Sequence, residues 1–258
     1  MIDLFGLDAA HVETFLLIFL RVSTMLFVFP FFSAPQVPHQ MRLGLGAIVS
    51  LMLYRFVPTI HAAANLYDLV AAVVSQLVLG IIVGFVASLV FTGIQFAGEI
   101  LDLLAGFAVA SVINPTTNQQ VTIIGEFQLA MATLVFLAAN GHHMLMQGIA
   151  GSFSLAPLPF ITLDPSVGAN IVAFLTQALT IVFKIAAPAA VALFLTNVAL
   201  AFMARVAPQM NVFVVGFPLQ VSVGLIMVAI SLPLVGTVGI TLFNGVARQM
   251  DTVLRGLH

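Results

Sequence analysis

The sequence predicts an all-α membrane protein, built from kinked helices and helical hairpins that cross the bilayer several times. Three observations carry this reading. Of 258 residues, 62% are hydrophobic and only 6% are charged, whereas a soluble domain carries about a quarter charged residues. The apolar residues gather into blocks, several of them longer than the roughly 20 residues a spanning helix needs. Prolines lie inside those blocks at Pro188, Pro218 and Pro233, where each removes a backbone donor and kinks or interrupts its helix. The same composition excludes an ordinary cytosolic globule, a disordered chain and a polybasic partner of nucleic acid.

The blocks run over 14–32, 43–57, 69–97, 121–139, 171–204 and 212–247. The first reads as retained structure: Asp3, Asp8 and Glu13 precede the first basic residue, Arg21, the reverse of a secretory signal's charge order. The second block is too short to span comfortably. The third, fifth and sixth are long enough to tilt, bend or fold back. Within the third, Gly80 and Gly84 with Ser88 one turn on predict a face that another helix approaches closely. Turn-rich pieces separate the blocks at Ser33–Pro38, Asn114–Asn118, Ala156–Pro159 with Asp164-Pro165, and Ala207–Asn211. None is a long or charged linker, so 1–258 reads as one domain. Arg42, Arg55, Arg205, Arg248 and Arg255 are scattered, and only the last two lean towards a cytoplasmic C-terminus.

The composition also limits the surface and the chemistry. There are 23 Phe, 2 Tyr and no Trp, so the aromatic belt that marks a headgroup layer is nearly missing. Compositional drift would produce this, and so would a surface covered by other subunits. No cysteine is present, which removes disulfides, thiolate nucleophiles and iron–sulfur sites. No phosphate loop, nucleophile elbow or dinucleotide fingerprint occurs, so neither an enzyme nor a cofactor is expected. His142 and His143 are adjacent and would point about 100° apart on a helix, unlike a zinc pair; a helix start or loop is their expected place.

Five charges stand in or beside apolar helices: Arg21, Glu99, Asp102, Glu126 and Lys184. An unpaired charge at mid-membrane costs roughly 2.5–3.5 kcal/mol even on the lenient insertion scale, so each needs a partner, a cavity or another subunit. Glu99 and Asp102, three apart, share a helical face and would repel unless one is protonated or a cation is near. The favoured reading is buried charges for packing, with Arg21 or Lys184 paired to a carboxylate across helices. A proton relay through Glu99, Asp102, Glu126 and Lys184 in a stand-alone ion-coupled secondary transporter is the alternative.

Several unrelated short motifs occur in one order: Gln95-Phe-Ala-Gly-Glu-Ile-Leu-Asp102, Gly106-Phe-Ala-Val-Ala-Ser-Val-Ile-Asn-Pro115, Phe136-Leu-Ala-Ala-Asn-Gly-His-His143 and Ser152-Phe-Ser-Leu-Ala-Pro-Leu-Pro159. With Arg21, Pro30, the Val37–Arg42 turn and Ser231-Leu-Pro233, they resemble the R/T-subunit family of the type III secretion export gate, the family of flagellar biosynthetic protein FliR. The Asn-Gly-His-His element leans towards its flagellar branch. The resemblance implies a P-like part over 1–165 followed by a Q-like hairpin over 166–258. It implies a channel-forming subunit assembled with P and Q subunits (FliP, FliQ) and served by the B and A export components (FlhB, FlhA). The expected location is the inner membrane at the base of the flagellum, with unfolded flagellar proteins as cargo. It implies, too, that Gly106–Asn118 is a plug loop. Gly106 and Pro115 would bound it, Phe107, Val109, Val112 and Ile113 would exclude water from the pore, and Asn114 lies beside Pro115.

Overall fold

A computed structural model describes residues 8–34, 37–107, 122–160 and 164–256. Eight α-helices and no strand occur among them: α1 Ala9–Val28, α2 Pro30–Ser33, α3 His39–Tyr54, α4 Leu66–Leu104, α5 Ile123–Ala138, α6 Gly141–Leu155, α7 Ser166–Val206 and α8 Val212–Leu254. Four of these, α1, α4, α7 and α8, are long and apolar enough to cross a membrane. The α5–α6 pair reaches that length only when taken together.

Local chemistry sets the breaks. The first apolar block ends early, because Phe29 is extended before Pro30, and a residue before proline is driven out of the helical region. Asn65 starts α4, its side-chain oxygen accepting the Asp68 N–H at 2.9 Å. Gly106, at φ +82, stops α4 in a Schellman turn: Gly106 N–H donates to the Leu103 carbonyl and Phe107 N–H to the Asp102 carbonyl. The three internal prolines do not interrupt α7 or α8, which run for 41 and 43 residues. The sharp bend lies instead between α5 and α6, at 75°, where Asn140 takes the left-handed conformation at φ 56. Asn tolerates that region better than most residues, and no proline marks the place.

The chain forms two compact units that interleave along the sequence. Unit 1 comprises Met1–Leu89, Asn140–Leu175 and Asn244–His258; unit 2 comprises Val90–Ala139 and Thr176–Phe243. In unit 1, α1 packs against α3 and the first half of α4. The predicted small-residue face finds its partner here. A Cβ on Gly80 would stand 2.9 Å from the Arg21 carbonyl oxygen, and one on Gly84 would stand 3.1 Å from that of Met25. The segment before α4 is tied to α1, with Glu13 accepting the Ala63 N–H at 2.8 Å and Thr14 that of Ile60 at 3.2 Å. The C-terminal end of α8 returns to this unit: Gly148 lies under Met250, and Asp164 N–H donates to the Gly256 carbonyl.

In unit 2, α7 and α8 run antiparallel. Gly216 meets Leu200, the Gln220 amide donates to Asn197, and Gly224 faces Leu193. Two apolar knots hold this unit. Phe91, Phe136 and Phe243 form a triangle of rings with centroids 5.3, 4.9 and 5.2 Å apart. Leu101, Ala105, Ile124, Ala189, Leu193 and Val228 form a buried cluster. Gly98 and Gly125 bring α4 and α5 into backbone contact, because a Cβ on Gly98 would lie 2.6 Å from the Gly125 Cα. Gly98→Ala must therefore force the two helices apart, and the expected destabilisation is about 1–3 kcal/mol. Gly151→Ala, where nothing lies within 4 Å of the new Cβ, should change stability by no more than about 0.5 kcal/mol. Thermal unfolding of both variants in detergent checks the contrast.

Candidate functional site

The charges singled out in the sequence fall into different environments. Arg21, in the middle of α1, is completely buried. Its Nε donates to Gln76 Oε1 at 2.7 Å, Nη1 to the Ser152 carbonyl at 2.9 Å and Nη2 to the Ala156 carbonyl at 2.9 Å. The guanidinium carbon lies 4.2 Å from the centre of the Phe153 ring. Gln76 continues the network, its amide donating to the Pro159 carbonyl at 2.7 Å. Helix ends leave carbonyls without intrahelical donors and carry partial negative charge. Arg21 supplies both the hydrogen bonds and the opposite charge to the C-terminus of α6. The expected carboxylate partner is thus replaced by neutral acceptors. Among the described residues the one ion pair is Arg255 with Asp251, at 2.9 Å on the surface.

Asp102 does the converse. Its carboxylate, buried at the end of α4, accepts the N–H of Ile124 at 2.9 Å and of Gly125 at 3.0 Å. The residue before α5, Thr122, makes no side-chain capping bond. An anion from a neighbouring helix satisfies two of α5's free N–H groups and faces the positive end of its dipole. Those amides hold the Asp102 carboxylate beside Glu99. Glu99 is half-buried.

Glu126 and Lys184 are not buried within this chain; both are exposed on it. Each points away from the buried stripe of its helix: Ile124, Gln128 and Ala132 on α5, and Ile185, Ala189 and Leu193 on α7. His142 and His143 fall in the first turn of α6, with rings 4.3 Å apart. Of the proposed plug residues, Gly106 and Phe107 are described. Gly106 lies against Gln220 and Phe217, and Phe107 packs on the buried cluster of unit 2. Val109, Val112, Ile113, Asn114 and Pro115 lie outside the described residues.

Gln76 escaped the sequence reading although it stands in an apolar helix, as did Gln128, Asn197 and Gln220, and Ser152 was read only as part of a motif. An uncharged amide amid apolar neighbours was the available signal, because burying an amide without partners is costly; Gln128, fully buried, nevertheless has no hydrogen-bond partner at either amide atom among the described residues. Gln76 finds Arg21, and Gln220 finds Asn197.

Long apolar helices whose buried charges are satisfied at the ends of other helices define a multi-pass helical membrane protein. Residues 12–246 match the family described as bacterial export proteins, family 1, and the chain belongs to that family. It is 32% identical to flagellar biosynthetic protein FliR of Bacillus subtilis (strain 168) over 265 residues, covering 98% of this chain and 96% of the relative. It is 33% identical to the protein of that name from Aquifex aeolicus, covering 86% of each chain. Similarity extends to Yop proteins translocation protein T of Yersinia pestis, at 28% identity over 72% of this chain and 73% of the relative. The resemblance carried by the four motifs is borne out.

Arg21→Ala should leave two buried acceptors, Gln76 Oε1 and the Ala156 carbonyl, without their donor at about 1–3 kcal/mol each, while the Ser152 carbonyl keeps the Ala156 N–H. Arg21→Lys should rescue little, because a single ammonium cannot match a planar fork. The yield of folded chain in membranes, measured beside Arg255→Ala as a surface control, should fall sharply for both Arg21 variants only. An Arg21→Lys yield equal to the parent's would contradict the fork geometry.

Proposed function

We propose that this chain is a structural, channel-forming subunit of the flagellar type III export gate, passing unfolded flagellar proteins across the inner membrane without catalysing a bond-making step. Its family is one of bacterial export proteins. The observation that carries the assembly reading is helix length. α4, α7 and α8 have 39, 41 and 43 residues, about 60 Å at 1.5 Å per residue, against a hydrocarbon core about 30 Å thick. Large apolar side chains are exposed along these helices, from Tyr67 to Leu103 on α4 and from Val172 to Val206 on α7. A bilayer covers about half of such a length; sister subunits cover the remainder. The scarcity of Trp and Tyr fits the same arrangement.

In this reading FliP and FliQ are the neighbours, FlhB and FlhA act with the assembled gate, and the flagellar basal body is its place. Residues 1–165 form the P-like part and 166–258 the Q-like hairpin, which the antiparallel pairing of α7 with α8 supports. Arg21 and Asp102 serve packing, each tying down a helix end, and Glu99 stands beside Asp102. Glu126 and Lys184 face outward. A stand-alone ion-coupled transporter gains little support, because both oxygens of Asp102 are taken up by backbone N–H groups. Proteoliposomes of this polypeptide alone should show no saturable uptake of a small solute.

The plug belongs to the same reading. Gly106–Asn118 opens on the Schellman turn at the end of α4, and its apolar residues would close a narrow pore by dewetting. Shortening Gly106–Asn118 should make the assembled gate conduct ions in a planar bilayer while the parent gate stays closed. Equal tightness in the two would remove the plug assignment.

A further inference from the structure

Lys184 is the sole ionisable side chain from Ser166 to Ala204, and no carboxylate of the described residues pairs with it. It is exposed and has exposed apolar neighbours in both directions, Leu179 and Phe183 before it and Val191 and Phe194 after it. Gln177, Thr180, Lys184, Ala187, Val191 and Phe194 follow one another at alternating steps of three and four residues, and all are exposed. That spacing makes a seam along one side of α7, of the kind that receives a second helix. On the other side, Ala189 and Leu193 are part of the buried cluster of unit 2.

The chemistry of the seam selects its occupant. The ammonium of Lys184 stands among apolar side chains. Hydrocarbon does not satisfy it. Water would satisfy it, but would leave the apolar residues on either side exposed. A helix that is apolar along its length and carries one carboxylate covers those residues and pairs with the cation.

We infer that the α7 seam from Gln177 to Phe194 docks a membrane helix of another polypeptide whose Asp or Glu side chain lies level with Lys184. The inference rests on the reading of this chain as an assembly subunit and adds the chemistry of one contact. Because Lys184 is exposed on the isolated chain, its replacement should leave that chain's own fold intact.

The test uses the full-length tagged chain co-expressed with P- and Q-type subunits, with the particle recovered in mild detergent. Lys184→Glu should lower particle yield by at least about tenfold through like-charge repulsion, while Lys184→Arg stays near the parent and the amount of chain in the membrane is unchanged. The chain has no cysteine, so Thr180→Cys reports on the seam alone. It should react with a membrane-impermeant maleimide in the purified chain and be protected in the particle. A Lys184→Glu particle at parental yield overturns the inference, as does equal labelling in chain and particle, which would place the seam in water. A particle made only of copies of this chain overturns it as well. If the unmodified chain recovers no companion polypeptide, the assembly reading itself fails, and the inference falls with it.

Discussion

The guanidinium of Arg21 states the constraint on which the packing of α1, α4 and α6 depends: among apolar helices, a fully buried charge must find its partners within protein. It finds them in Gln76, Ser152 and Ala156, with the Phe153 ring alongside. None of these is an anion. A carboxylate in that place would have added the desolvation of a second charge. The Ala156 carbonyl, just past the end of α6, accepts from Nη2, and the Ser152 carbonyl accepts from Nη1 in addition to the Ala156 N–H, so one buried charge also serves a helix end. Asp102 applies the same economy with the opposite sign, satisfying free N–H groups at the start of α5. The outer ends of the bent α5–α6 pair are thereby held by charges of the sign that each helix dipole favours.

Close helix contact supplies the rest of the cohesion. Where apolar side chains face apolar surroundings, association depends on packing and on backbones approaching closely. Gly80 and Gly84 let α4 lie on α1, and Gly98 and Gly125 let α4 lie on α5. These contacts order each unit internally and leave long apolar faces of α4, α7 and α8 uncovered. Helices twice the bilayer's thickness with such faces are suited to a place among other subunits.

The legible part of the sequence was its hydrophobic arithmetic. The long blocks became α4, α7 and α8, and the short second block became α3, which does not reach spanning length. The Gly80–Gly84 spacing announced a packing face. Gly106, named only as a bound of the loop that the resemblance implies, proved to end α4, because a glycine in the left-handed region closes a Schellman turn. Pairing was not legible. Arg21 suggested a carboxylate partner because charge is conspicuous in a sequence; backbone carbonyls, which every residue carries, are not. Lys184 and Glu126 suggested burial because their neighbours in sequence are apolar, yet which side of a helix is covered depends on what packs against it. The prolines did not mark the sharp break: α7 and α8 continue through Pro188, Pro218 and Pro233, while the chain turns at Asn140.

By itself the amino-acid order determined that this is a helical membrane protein, where its long helices run, and which family it resembles. Those properties follow from composition, local periodicity and short motifs. Only the tertiary structure decided that Arg21 holds the end of α6, that Asp102 caps α5, and that Lys184 faces outward. Those contacts join residues 22 to 135 positions apart or depend on a helix's rotation about its axis, and a linear pattern of apolar residues encodes neither.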